Sequence, residues 1–164
     1  MKRTQLLFVP LVAALALLAP LASHTPAGAA SSPAPCVLDL IVSGSPGLTM
    51  TPGRMDGDAN GTIDCHGLVD GKQITGAGIY SNTFSFLDST CAKGGGTGTQ
   101  TFTIPTSAGP MTITEDFTFA SVGAAGTFEG TALSGAFQFA PMTGDCVTSP
   151  ASKAAVHAVA LLMR

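Results

Sequence analysis

From Cys36 onward, apolar side chains recur at every second position. Leu38, Leu40 and Val42 fall on one side of an extended chain, as do Ile63 with Cys65, Phe84 with Phe86 and Phe102 with Ile104. The same rhythm runs through Met111, Ile113, Phe117 and Phe119 and ends at Phe137 and Phe139. A period of two marks β-strands with one buried face. Between these runs, Ser45-Pro46-Gly47, Gly94-Gly95-Gly96 and Gly109-Pro110 supply turn chemistry. The pattern predicts strands near 36–43, 60–67, 72–80, 83–88, 97–105, 110–120, 124–130 and 133–141, with a last element near 152–163. That last segment has features of both a helix and a strand. Ser149-Pro150 fits a helix start, whereas Val156, Ala158, Ala160 and Leu162 alternate. A strand is preferred, because it would cover a sheet edge. The expected architecture is an antiparallel all-β barrel or sandwich of about eight to nine strands.

The first residues differ in kind. Lys2 and Arg3 precede an apolar run from Leu6 to Ala22, and Ala27-Gly28-Ala29 is a small-x-small cleavage site. Residues 1–29 therefore read as a cleaved signal peptide, 30–35 as a flexible leader and 36–164 as a single all-β domain. Pro10 and Pro20 interrupt the apolar run and no stop-transfer charges follow it, so no stable membrane span is expected after processing. The expected address is extracellular or the cell envelope. Of seven Lys and Arg residues, Lys2 and Arg3 leave with the signal, and the remaining five face ten Asp and Glu. Such a balance argues against a nucleic-acid partner.

Export gives the cysteines their meaning. Cys36, Cys65, Cys91 and Cys146 form an even set in an oxidising compartment, where two disulfides are expected. Three pairings are open. Cys65 with Cys91 and Cys36 with Cys146 is the preferred one, since the second bridge would close the domain by tying its first strand to its last part. Each bridge is expected to contribute roughly 3 to 5 kcal/mol. A zinc site is disfavoured, because no C-x-x-C pair is present.

The run Ser43-Gly44-Ser45-Pro46-Gly47-Leu48-Thr49, the dispersed cysteines, and Gly135-Ala136-Phe137-Gln138-Phe139-Ala140-Pro141 leading to Gly144-Asp145-Cys146 resemble small exported proteins of actinobacteria. Those families are expected to be β-barrels or sandwiches. The resemblance spans most of the exported chain and implies an address and a fold, without an activity.

Three local features bear on chemistry. Asp56, Asp58, Asn60, Thr62 and Asp64 place oxygens at the odd positions of an EF-hand-like loop, with Gly61 at the turn. The twelfth position is Gly67 instead of a bidentate glutamate, so calcium would need a further carboxylate such as Asp70. The plain alternative is a hairpin turning at Asn60-Gly61. Asn60-Gly61-Thr62 also has the form of a glycosylation sequon, which the bacterial character of the chain makes irrelevant. Second, the alternation puts Glu115 on the face of Met111, Ile113, Phe117 and Phe119. A carboxylate on an apolar face would serve as an acid-base group or as an anchor for a ligand. A bulge at Glu115-Asp116 would instead turn it outward. Third, Asp64 and His66 share a strand face, and His157 is the remaining histidine of the exported chain. Two ligands are too few for a metal, so a solvated pair is the default reading.

No G-x-S-x-G elbow is present, and Gly94 to Gly98 lacks the Lys-Ser/Thr of a phosphate loop and reads as a flexible turn. The expected function is binding of an apolar small molecule or an envelope component, with Phe84, Phe86, Phe102, Phe117, Phe119, Phe137 and Phe139 lining the site. The alternatives are a barrel-type isomerase or cyclase using Glu115, and a structural or adhesive surface protein stabilised by calcium.

Overall fold

A computed structural model describes residues 32–164. The segment read as a signal peptide lies outside the described residues. Ten strands form: β1 (Ala34–Leu48), β2 (Gly53–Cys65), β3 (Leu68–Val69), β4 (Lys72–Gln73), β5 (Gly78–Ser89), β6 (Lys93–Thr106), β7 (Gly109–Val122), β8 (Ala125–Gly130), β9 (Leu133–Thr143) and β10 (Ala151–Leu162). Ala34 and Pro35, read from sequence as the end of a leader, begin β1. Eight of the strands close into an antiparallel barrel in the order β1-β10-β9-β8-β7-β6-β5-β2, and β3 and β4 make a separate hairpin. Closure comes from β1, which pairs with β10 from Ala34↔Leu162 to Ser43↔Lys153 and with β2 from Cys36↔Cys65 to Ser45↔Asp56. The C-terminal segment is thus a strand that completes the ring, leaving the barrel without a free edge.

Alternation decides what fills the barrel. Along β2, Met55, Ala59, Ile63 and Cys65 are buried while Asp56, Asp58, Asn60, Thr62 and Asp64 between them are exposed. The outer face of β6 and β7 is hydroxylated: Thr101 and Thr114 bond side chain to side chain at 2.9 Å, Thr103 and Thr112 at 2.8 Å, and the Thr99 hydroxyl donates to Asp116 at 2.8 Å.

The sequence-based boundaries need correction at four places. Ser45-Pro46-Gly47 forms no turn but lies inside β1, with Ser45 opposite Asp56. The stretches 72–80 and 83–88 are not two strands; β5 runs through Ser81-Asn82-Thr83 without a break, and only β4 lies before it. Asn60-Gly61 is no turn, because both residues sit in mid-strand paired with Ile41 and Leu40. Gly94-Gly95-Gly96 belongs to β6, where Gly96 lies opposite Phe119 and Phe86. A Cβ on Gly96 would lie 1.8 Å from the Ser85 carbonyl oxygen and 2.9 Å from the Phe119 ring. The glycine is therefore required by the close approach of the β5 backbone and of an aromatic ring, and not by a turn.

The two ends of the barrel differ. At one end the turns after β6 and β8 and the β3–β4 hairpin close over a packed interior of Ile63, Val69, Phe102, Ile104, Leu133 and Leu162, each at most 1% exposed. At the other end four connections, β1–β2, β5–β6, β7–β8 and β9–β10, ring a mouth.

The cysteines follow this polarity. Cys36 bonds Cys65, its direct neighbour across the β1–β2 ladder at the closed end, and Cys91 bonds Cys146 at the mouth. The preferred pairing of Cys65 with Cys91 and Cys36 with Cys146 is therefore wrong. Each of those bridges would have to run from one end of the barrel to the other, far beyond the separation a disulfide spans. Closure, which the Cys36–Cys146 bridge was meant to supply, is the work of the β1–β10 ladder.

Candidate ligand cavity

The mouth half of the barrel encloses a cavity of about 320 Å³. That is the share of liquid volume of roughly ten water molecules, at the small end of ligand sites. Phe84, Phe86, Phe117, Phe119, Phe137 and Phe139 line it, together with Phe128, Met55 and aliphatic residues of β1 and β10. Phe86 and Phe119 meet edge to face at 4.7 Å, and Phe84 meets Phe119 at 5.8 Å and 83°, so the wall is a cross-braced aromatic cluster. Phe102, the seventh phenylalanine expected to line the site, does not. It is fully buried in the packed half, 6.5 Å from the Tyr80 ring. Phe128, which follows Gly126-Thr127 in the short strand β8, was missed because no apolar alternation flags so brief a segment.

A polar row separates the two halves. Asn82 on β5 lies directly opposite Gln100 on β6, and Gln100 directly opposite Glu115 on β7, so the three form one transverse rung on the inner face. Tyr80, two residues before Asn82, reaches the same row. Gln100 Nε2 donates to Glu115 Oε1 at 2.7 Å, the Tyr80 hydroxyl donates to Gln100 Oε1 at 2.8 Å, and Asn82 Nδ2 donates to the Tyr80 oxygen at 3.1 Å. Burial pushes the Tyr80 phenol up to about 12, with the nearby Glu115 carboxylate adding to the rise and the Asn82 bond opposing it.

Glu115 faces inward, as its register requires, but its carboxylate is occupied by the backbone. Strand β8 is short and pairs with β7 only between Phe117↔Gly130 and Val122↔Ala125. Beyond Gly130 the chain turns away into β9, and its N–H groups have no strand partner on β7. Glu115 fills that gap: Oε2 accepts from Ala132 N at 2.5 Å and Oε1 from Leu133 N at 3.0 Å. Gly130 leaves the space, since a Cβ there would lie 2.5 Å from Glu115 Oε1 and 2.7 Å from Gln100 Nε2. Glu115 does not line the cavity; Asn82 and Tyr80 do. The bulge at Glu115-Asp116 that would turn the glutamate outward does not form, because β6 and β7 pair without a break there, so the side chain keeps the inward phase of the alternation; Asn82 and Gln100 were missed. The signal for Gln100 was present, because it shares the phase of Phe102 and Ile104.

The mouth is held by chemistry of its own. In the β9–β10 connection the Asp145 carboxylate accepts from the backbone N–H of Val147, Thr148 and Ser149 and from the Thr148 hydroxyl. The bond from the Thr148 hydroxyl, followed by the backbone bonds, holds this carboxyl far below the usual carboxylate range. Cys146, next in the chain, carries the disulfide to Cys91, and both half-cystines line the cavity.

The calcium reading fails on geometry. Asp56, Asp58, Asn60, Thr62 and Asp64 lie along one straight strand, and at about 3.3 Å per residue the outer two are separated by roughly 26 Å. Residues so spaced cannot wrap one cation. They turn instead to local partners: Arg54 pairs with Asp56 at 2.9 Å, Ser85 Oγ donates to Asp56 at 2.5 Å and Asn60 to Asp58 at 2.8 Å. Asp70 sits in the β3–β4 turn with a φ of 48°. Among the described residues no group of three or more His, Cys, Asp or Glu is arranged to hold a metal ion. Asp64 and His66 face solvent 4.0 Å apart, while His157 pairs separately with Asp39 on the outer face at 2.8 Å.

In comparisons with known proteins, no family model, no curated protein and no solved structure matches this chain.

Proposed function

We propose that this protein is a non-catalytic binding domain that takes an apolar small molecule, or the apolar part of an envelope component, into the mouth half of its barrel. The observation that carries the reading is the division of the interior. One half is packed solid, and the other holds a cavity of about 320 Å³ walled by phenylalanine. Core packing normally leaves few voids larger than a water molecule, so a void of this size at one end favours a binding role.

Two further features agree. The Glu115 carboxylate is spent on the β8–β9 turn and stands apart from the cavity wall, which speaks against a Glu115-based isomerase or cyclase. Along β6 and β7 the outer face carries threonine and aspartate while the inner face carries phenylalanine, so on these strands the apolar side chains are turned toward the cavity. The two disulfides belong to an oxidising, non-cytoplasmic compartment. With the basic start and apolar run of residues 1–29, this supports secretion or residence in the cell envelope.

Titration with an apolar fluorophore such as N-phenylnaphthylamine tests the reading. We expect saturable binding at one site per chain, lost when Ala59→Phe fills the cavity while circular dichroism still reports the barrel. Absence of saturable binding to the native protein, or unchanged binding by a folded Ala59→Phe variant, overturns it.

A further inference from the structure

We infer that the occupant of the cavity carries a hydrogen-bond donor, of the hydroxyl or N–H class, which is received by Asn82. The inference rests on the binding role proposed above and adds the polarity of the ligand. The hydrogen-bonded row has a fixed direction, and its direction is set at the Glu115 end. A carboxylate already accepting from Ala132 N and Leu133 N is an acceptor only, so Gln100 must turn its Nε2 toward Glu115 and its Oε1 toward Tyr80. The Tyr80 hydroxyl must then donate to Gln100, which leaves its oxygen to accept. Asn82 must in turn present Nδ2 to Tyr80. At the end of the row Asn82 Oδ1 remains, buried and without a partner.

A buried carbonyl with no donor is costly. The oxygen is enclosed too closely for water to reach. Its need is met by a group that enters the cavity against Asn82 and displaces a neighbouring side chain. What the row leaves unmet at that point is an acceptor, so it favours a ligand that brings a donor. An alcohol or an amide N–H is received, an ionised carboxylate is disfavoured by the cost of burying its charge, and a plain hydrocarbon is tolerated without gain. The competing arrangement is an anionic amphiphile inserted tail first, its head group at the mouth near Lys153, which also lines the cavity.

Calorimetric titration with octanol, octane and octanoate separates these cases. The proposal predicts that octanol binds about five- to tenfold more tightly than octane, the range expected of one neutral hydrogen bond. Octanoate should bind more weakly than octanol, and Asn82→Leu should abolish the octanol advantage over octane. Equal affinities for octanol and octane, or an octanol advantage that survives in Asn82→Leu, overturn the inference and leave the binding role standing. Octanoate binding most tightly, with the preference lost in Lys153→Ala, overturns it in favour of the tail-first arrangement. Failure of all three probes to bind overturns the inference together with the binding role.

Discussion

Cys91 and Cys146 are joined across the mouth of the barrel, from connections that stand diametrically opposite in the ring of eight strands. Two strands, β7 and β8, separate them on one side and two, β1 and β2, on the other. Cys36 and Cys65 bridge adjacent strands at the closed end, where the backbone ladder already joins them. The two disulfides close loops separated by 29 and 55 residues in sequence, and loop entropy assigns each about 4 kcal/mol.

Their effects on ligand exchange should differ although their effects on stability are similar. Replacing Cys91 and Cys146 together by Ala should speed release of a bound apolar probe by tenfold or more, whereas replacing Cys36 and Cys65 should leave release unchanged. Urea unfolding provides the stability control and stopped-flow displacement the rate. Equal release rates in the two double variants would show that the mouth bridge does not gate the cavity.

Glu115 is expected to act on stability. Glu115→Ala removes the acceptor for two backbone N–H groups and for Gln100, and should cost about 2 to 4 kcal/mol in urea unfolding. Gly130→Ala, which drives a methyl group into the Glu115–Gln100 bond, should be destabilising in the same sense. A Glu115→Ala variant as stable as the native protein would contradict the assignment of this carboxylate to the turn.

The elements most easily read from sequence were those where side-chain alternation and burial agree. The inward phases of β1, β7 and β10 follow from Leu38-Leu40, Met111-Ile113 and Val156-Ala158, because a one-residue slip would turn every apolar group to solvent. Glycine and the short polar residues misled for a common reason: they are turn formers by local preference, yet here they are placed by tertiary need. Gly96 and Gly98 make room for the β5 backbone and for the rings of Phe119 and Phe117, Asn60 and Asp58 decorate an outer face, and Asn82 is an inward polar group. The disulfide pairing was out of reach for a different reason. It depends on which end of the barrel each connection occupies, which requires the ring order.

Tyr80 is the single tyrosine in a chain without tryptophan, so its ionisation is directly visible in the ultraviolet. Its folded pKa of about 12 lies above the ordinary value of 10, so the native state favours the protonated phenol. The associated stability is complete below pH 10 and is lost as pH rises through the folded value. Over that interval the loss should be about 2 to 3 kcal/mol, measurable by urea unfolding in alkaline buffers. Ionisation of the native protein near pH 10 would mean that the polar row is open to water.

At Asp145 the sign is opposite. Its folded pKa is depressed, so its contribution is present above the unfolded carboxylate value and is lost only as pH falls through the lower folded value. The β9–β10 connection should therefore keep its shape through mildly acidic conditions. Asp145→Ala should raise amide exchange in residues 145–149 while exchange in β1 and β10 is unchanged, and equal protection in both proteins would contradict this role.

Gly98 tests the use of the interior. A Cβ there would lie 2.7 Å from the Phe117 ring and 2.2 Å from the Thr83 carbonyl oxygen. Gly98→Val should destabilise by about 2 to 4 kcal/mol and displace the aromatic wall, with loss of probe binding. Native stability in this variant would show that the phenylalanine cluster is looser than its cross-braced geometry implies.

The most direct test of the central claim is native mass spectrometry of the protein purified from its own host, with solvent extraction of the same sample. The account predicts a discrete added mass, released by extraction as an uncharged, largely apolar molecule bearing a hydroxyl or N–H group. A single bare-chain mass, together with no uptake of apolar probes by the extracted protein, would contradict it.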